Sequence, residues 1–328
     1  MSWSAVRAWR ELLHRIDPSP AVPTLSGAGA QHALAVQLDA LTDTALDQVA
    51  AMPGKPWSTA TVTTARTVST AAIEWCAVLL GRGTRVVWKH PLGAPGLAPL
   101  LADAAAKVRL PLTVTADRAA VDDAELVVAM GSDETITAIR DRARGTVLGF
   151  GHRFSVAWVT ERAGLAAVAD DAALHDGRGC MSPVAVFTPL ANADATLAAA
   201  MVEAQRRWPV GAVAPAEAAA IRARRALARA VGAVHEGDGW SVHALPVARW
   251  SAAALPRSIA VHQVTDVAGF AEAMAPMLPW LSTVGADAKI PAWPAVRVAA
   301  LGRMQRPPLV RRHDGVDWLK ATLQPADR

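Results

Sequence analysis

Tyrosine is absent from this 328-residue sequence, phenylalanine occurs only four times and cysteine only twice. The first absence removes the phenol from the set of available general acids. The cysteine count excludes a disulfide framework, because two thiols in dissimilar surroundings make no scaffold of bridges. No uninterrupted apolar run approaches the ~20 residues that cross a bilayer. Residues 1–17 mix Trp, Arg, Glu and His instead of forming the apolar centre of a signal peptide, so cytoplasmic residence in a reducing compartment is expected. No H-x-x-x-H or C-x-x-C pattern offers metal-ligand spacing, and no metal is expected. No arginine run is interleaved with aromatics as a nucleic-acid platform requires. A G-x-G-x-x-G fingerprint after the first strand is also missing, which excludes the usual dinucleotide signature.

What remains is a globular chain with 52% hydrophobic residues, long enough for two domains and able to bury a core without staples. Its net charge of +4 is carried almost wholly by arginine, a balance suited to anionic ligands such as nucleotides or coenzyme A. Helices are predicted over 3–16 and 31–52. A helix over 65–80 then leads to a strand over 84–89, a helix over 97–108, strands over 112–115 and 125–130, a helix over 133–144 and a strand over 146–149. Alternation of this kind implies βαβ units and a parallel sheet covered on both faces. After a boundary near 151–155, helices over 161–169, 193–208, 215–231 and 267–275 accompany strands over 184–188, 240–245, 258–264 and 281–284. Arg222, Arg224, Arg225 and Arg229 read as one solvated helix face.

The two cysteines differ sharply. Cys76 lies in Ala71-Ala72-Ile73-Glu74-Trp75-Cys76-Ala77-Val78-Leu79-Leu80, where apolar residues fill a helix and a thiol is a small hydrophobe. Cys180 lies in Asp176-Gly177-Arg178-Gly179-Cys180-Met181-Ser182-Pro183, ahead of an apolar strand. Glycines permit a sharp bend and close approach of another molecule, and the Arg178 cation favours thiolate over thiol. Met130-Gly131-Ser132 closes a strand and opens a helix whose first amides could meet a phosphate, although Ser132 is equally an N-cap and Asp133 and Glu134 already serve the helix dipole.

Four segments in order carry a family resemblance: Trp88-Lys89-His90-Pro91, Gly131-Ser132, Gly149-Phe150-Gly151-His152-Arg153-Phe154-Ser155, and Asp176 to Pro183. Together they resemble the aldehyde dehydrogenase superfamily and, within it, the bacterial acyl-CoA reductases of the bioluminescence fatty-acid reductase type. The tail, Gly302-Arg303-Met304 with His313-Asp314-Gly315, is similar to that reductase branch. The resemblance implies an α/β, aldehyde-dehydrogenase-like fold, N-terminally shortened. It would comprise a Rossmann-type parallel-sheet cofactor domain with N-terminal helices over 1–152, a second α/β catalytic domain over 153–300, and a segment over 301–328 returning over the site or an interface. The short stretch ahead of Cys180 leaves the family's oligomerisation arm, and tetramer assembly with it, in question; a homo-oligomer or a partner enzyme stay open.

The resemblance further implies that Cys180 attacks an acyl-CoA or other acyl thioester, and that the acyl-enzyme is reduced to an aldehyde. Lys89, Pro91, Gly131, Ser132, Gly149 and Gly151 would hold the cofactor. Arg66 falls where the superfamily keeps its oxyanion asparagine, Arg178 would lower the thiol's pKa, and His152, His175 and His313 are candidate proton donors. The run Leu148-Gly149-Phe150-Gly151 lacks the glutamate that activates hydrolytic water in ordinary aldehyde dehydrogenases, which suits a reductase. Leu92 stands where NAD-preferring members carry a ribose-binding glutamate, so the cofactor expected is NADPH, with NADH as its alternative. Two rival readings are an acyl-phosphate reductase using the same cysteine and a non-catalytic partner subunit of the same fold.

Overall fold

The computed structural model describes residues 3–66, 68–251 and 255–325. They form two compact units, one of Met1–Val22, Ala33–His152 and Arg306–Arg328, the other of Pro23–His32 and Arg153–Gln305. The tail therefore divides, 301–305 going to the second unit and 306–328 to the first.

The first unit is built on β1 (Thr59–Thr63), β2 (Arg85–Lys89), β3 (Leu112–Thr115), β4 (Leu126–Met130) and β5 (Thr146–Phe150), all parallel, in the order β3-β2-β1-β4-β5. α1 (Trp3–Leu13), α3 (Asp43–Ala50), α4 (Ala72–Gly81) and α5 (Ala98–Lys107) form the helical layer associated with β1, β2 and β3. Alternation explains the layering: Val86 and Trp88 of β2 are buried, while Arg85 at the start of the strand is exposed and Val87 between them is half-buried. α6 (Asp133–Arg140) packs through Ile136 on Val127 and Ala129. On the side of Thr59, Thr61, Val87 and Thr113 the β3–β4 crossover supplies only a short 3-10 turn, Arg118–Val121, leaving a cleft of about 470 Å³.

Three local expectations are corrected. The helix predicted over 31–52 is two helices, α2 (Gly27–Asp39) and α3, because Thr42 turns extended and its hydroxyl caps the second by accepting from Ala45 N–H at 3.1 Å. The helix predicted from 65 starts only with a 3-10 turn at Ser69–Ala71 and α4, since Thr64, Val68 and Thr70 are β-branched residues that disfavour helix. The segment 59–63, not predicted as a strand, is β1 at the centre of the sheet.

The second unit carries β6 (Phe154–Trp158), β7 (Pro183–Thr188), β8 (Ala233–Gly237), β9 (Trp240–Ala244), β10 (Ser258–Gln263), β11 (Leu281–Ala286) and β12 (Arg297–Ala299), in the order β12-β11-β6-β7-β10-β9-β8. Every pair is parallel except the β8–β9 hairpin, whose turn is Asp238-Gly239 with Gly239 at φ +76°. β7 is the central strand and is buried along its whole length. α7 (Gly164–Ala173) and α8 (Ala193–Arg207) cover one face through Leu165, Val168, Leu197 and Met201. α10 (Val267–Met274) covers the other, where Phe270 packs with Trp158 and Phe187. α9 (Pro215–Val231) is the solvated arginine face expected only in part: Arg222 and Arg229 are exposed, whereas Arg224 and Arg225 are half-buried, Arg225 donates to the Trp240 carbonyl, and Arg225 and Arg229 both pair with Glu236 of β8.

Leu197 is fully buried beneath this sheet. Leu197→Ala is expected to cost about 2–5 kcal/mol in urea unfolding; a loss below about 1 kcal/mol would contradict the packing described.

Candidate active site

In the second unit, α7 delivers the chain to Cys180 through an unusual turn. Leu174 leaves the helix in an extended conformation, and His175, Asp176 and Gly177 follow with φ of 54°, 53° and 70°. Only the last is a glycine, so His175 and Asp176 each carry about 1–2 kcal/mol of left-handed strain. Arg178 N–H then bonds back to the His175 carbonyl at 3.0 Å, and Ser182 N–H to the Gly179 carbonyl at 2.9 Å, bringing Cys180 into a tight turn at the head of β7. The thiol is half-buried and outside any disulfide.

Both ends of this loop are clamped. At the exit, Ser155 Oγ donates to the Cys180 carbonyl at 2.7 Å and accepts from Thr283 N–H at 3.1 Å. At the entry, Asp176 is buried and accepts from Gly211 N–H at 3.0 Å and from Arg178 at 3.1 Å. Arg178 is itself buried, and every nitrogen of its guanidinium donates: Nε and Nη2 to Glu217, Nη1 to the Thr24 carbonyl, Nη2 to the Ala212 carbonyl. Burial works against its charge, and Glu217 and Asp176 more than compensate. Arg178, expected to favour the Cys180 thiolate, thus has its charge matched by two carboxylates, Glu217 and Asp176.

The tail packs against the base of the same loop. Asp171 on α7 accepts from Gly302 N–H at 2.7 Å and Met304 N–H at 3.1 Å, and Gln305 donates to the Leu174 carbonyl at 2.9 Å. Burial pushes the Asp171 carboxyl up to about 7 despite those amides. His175 is pushed down to about 4 by burial and then by His32, so it is neutral near pH 7. Ser155, Asp171, Gln205 and Arg257 were not singled out in the sequence, because each acts through a partner dozens of residues away.

In the first unit, the order β3-β2-β1-β4-β5 places the point where the winding reverses between β1 and β4, the usual place for a ligand outside the carboxyl ends of the strands. Lys89 ends β2, half-buried, and its ammonium is pushed below the usual range by burial and then by Arg118. Pro91 follows it, and Leu92 is 78% exposed. Arg66 lies in the loop after β1, not on a helix, exposed and 3.5 Å from the Leu92 carbonyl. With β1 between them, β2, which ends at Lys89, and β4, which Gly131 follows, run about 10 Å apart.

Ser132 is the N-cap of α6, its Oγ accepting from Thr135 N–H at 3.2 Å. Glu134 is held below the usual carboxylate range by its own backbone N–H and then by Ser132, so the helix start already has an anion. A Cβ on Gly149 would stand 2.4 Å from Ile136, and one on Gly151 1.8 Å from Asp133 Oδ1. These two glycines let α6 sit directly on β5 and let Asp133 accept the His152 N–H at 3.2 Å; the His152 side chain is exposed. His313 packs on Phe150 at 4.5 Å, while Arg311 pairs with the buried Glu74. Cys76 is fully buried in α4, and burial pushes its thiol far above the usual range.

A carboxyl raised in the folded state stabilises fully below its unfolded value, near 3.8, and loses that contribution as pH rises through about 7. Relative to the wild type, Asp171→Asn should therefore gain about 2 kcal/mol of unfolding free energy between pH 5.5 and pH 8. Parallel pH profiles for the two proteins would contradict the assignment.

The comparisons agree with this architecture. The fold is similar to an NAD-dependent aldehyde dehydrogenase from Sinorhizobium meliloti at 18% identity, covering 87% of this chain and 68% of that one with a TM-score of 0.67. It is also similar to aldehyde dehydrogenase 21 from Physcomitrella patens, solved with the reaction product succinate, at 12% identity, 97% and 82% coverage and a TM-score of 0.76. A third is an NADP-dependent glyceraldehyde-3-phosphate dehydrogenase from Bacillus halodurans C-125, solved with NADP, at 14% identity, 91% and 78% coverage and a TM-score of 0.67. No curated protein matches the chain. A family model described as Acyl-CoA reductase (LuxC) matches residues 102–324, from α5 through the Cys180 loop to the tail. The chain belongs to the acyl-CoA reductase (LuxC) family, oxidoreductases acting on acyl groups, built on the aldehyde dehydrogenase fold.

Proposed function

We propose that the protein reduces an acyl-CoA, or another acyl thioester, to an aldehyde through a covalent acyl group on Cys180, with NADPH as reductant. The observation that carries this reading is the Cys180 turn: a half-buried thiol at the head of the central strand, with its backbone clamped on both sides. A fixed nucleophile beside a carbonyl converts much of the entropy of encounter into a prior cost of folding. The Cys180 thiolate attacks the thioester carbonyl, the new S–C bond forms, and the coenzyme A sulfur leaves with the electron pair of the bond that breaks. The backbone N–H of Cys180 is the first donor for the tetrahedral oxyanion; Arg66 is the side chain offered for the second. A reduced nicotinamide, when bound, supplies the hydride that turns the acyl group into an aldehyde and returns the thiol.

The first unit fits such a dinucleotide. Lys89 and Arg118 are neighbouring cations whose mutual repulsion an anion would relieve, and the exposed Leu92 leaves no carboxylate to repel a 2′-phosphate. Pro91, Gly131 and Ser132 line the same carboxyl ends, and Gly149 and Gly151 keep α6 against β5 beside them. Because Glu134 already occupies the start of α6, the phosphate charge falls to Lys89 and its neighbours more than to the helix dipole. His152, exposed just past β5, is the proton donor offered for the departing thiolate. The run 148–151 brings no carboxylate to activate water, so the acyl group persists until it is reduced.

At equal enzyme, cofactor oxidation should be faster with acyl-CoA than with acyl phosphate and faster with NADPH than with NADH. Cys180→Ser should lower it at least ~1,000-fold. Faster turnover of acyl phosphate would move the assignment to that substrate, and an active serine variant would remove Cys180 from the chemistry. Iodoacetamide should label Cys180 and spare Cys76; equal labelling would favour an inert partner subunit.

A further inference from the structure

The ion cluster beneath the Cys180 loop is not used by the chemistry above. Arg257 stands immediately ahead of β10, is fully buried, and has a φ of 44°. Its backbone N–H donates to the Asp176 carbonyl at 3.1 Å, its Nε donates to Asp176 Oδ1 at 2.9 Å, and its Nη2 lies 2.6 Å from that same oxygen. Nη1 donates to Gln205 Oε1 at 2.6 Å and Nη2 to the Ala173 carbonyl at 3.2 Å. One side chain thus grips both the main chain and the carboxylate of Asp176, together with the last residue of α7. A Cβ on Gly177 would lie 3.0 Å from the Arg257 nitrogen, so the loop rests directly on this backbone.

We propose that Arg257 is a positioning residue for acyl transfer: by gripping Asp176 it holds the left-handed turn His175-Asp176-Gly177, and that turn decides where Cys180, four residues on, presents its sulfur. The proposal rests on Cys180 being the nucleophile. His175 and Asp176 both have less strained conformations available, and the contacts that Arg257, Gly211 and Arg178 make with Asp176 oppose a return to them. Because Ser155 still ties the Cys180 carbonyl to β6, losing the grip on Asp176 would displace the sulfur without releasing the loop. The guanidinium fork matters here as well as its charge. Three nitrogens reach a carboxylate, a side-chain amide and a carbonyl at once, which the single ammonium of lysine cannot reproduce.

The test compares Arg257→Lys and Arg257→Gln with Leu197→Ala, a core variant on α8 of the same unit, outside the Cys180 loop. Three quantities are read on folded protein: the kcat and KM of acyl-CoA reduction, the iodoacetamide rate at Cys180 with Cys76 as internal reference, and the thermal midpoint. Arg257→Lys should lower kcat ~10–100-fold with KM within ~3-fold, and should slow Cys180 alkylation at least ~5-fold. Leu197→Ala should lose thermal stability yet keep kcat and alkylation within ~3-fold. Should Arg257→Gln not fold, the lysine variant decides alone. Wild-type kcat and alkylation in Arg257→Lys, or an equal loss of both in Leu197→Ala, would overturn the proposal. Alkylation needs neither substrate nor cofactor, so it still reads positioning if acyl-CoA is not turned over, in which case the substrate assignment fails separately.

Discussion

The structure of the second unit turns on one constraint: three successive residues, His175, Asp176 and Gly177, hold left-handed backbone conformations directly ahead of the cysteine. Such a run is costly for the two that carry side chains, and it persists only where surrounding contacts outweigh it. Here they converge on the Asp176 carboxylate, which takes hydrogen bonds from Arg257, Arg178 and the Gly211 amide. Two arginines and two carboxylates, Asp176 and Glu217, balance in charge, so no buried charge is left unpaired; deleting one member of such a set typically costs about 3–5 kcal/mol.

The first unit solves a different problem, close approach of a helix to a sheet. Gly149 and Gly151 have no room for a Cβ beneath α6, and Ser132 and Glu134 satisfy the start of that helix internally. Positive charge near the carboxyl ends of this sheet comes from side chains, among them half-buried Lys89 with Arg118 nearby.

Much of this was legible in the sequence where the signal is local. The alternation of short apolar strands with helices foretold two α/β units, and the contrast between the apolar helix around Cys76 and the Gly-Arg-Gly approach to Cys180 separated a core thiol from a candidate nucleophile. β1 went unseen because Thr59–Thr63 is short and sits between Pro56 and further threonines. β8 was missed although Asp238-Gly239 is a hairpin signal, since its strand carries His and Glu instead of an apolar pattern. The partners of the Cys180 loop could not be read at all. Arg257 lies 81 residues from Asp176, and Arg178 reaches across 154 residues to Thr24. The pairing of Arg178 with Glu217 and Asp176 was equally hidden, because a cation two residues from a thiol looks the same in sequence whatever its partners.

The most direct test of the central claim is to trap the acyl group. Incubating the enzyme with acyl-CoA and no reductant, then measuring intact mass, mapping the modified peptide and titrating released coenzyme A, reads the covalent step by itself. One acyl group on the peptide containing Cys180, with one equivalent of free coenzyme A, is the result this account requires. An unmodified protein, or an acyl group found elsewhere in the chain, would contradict it.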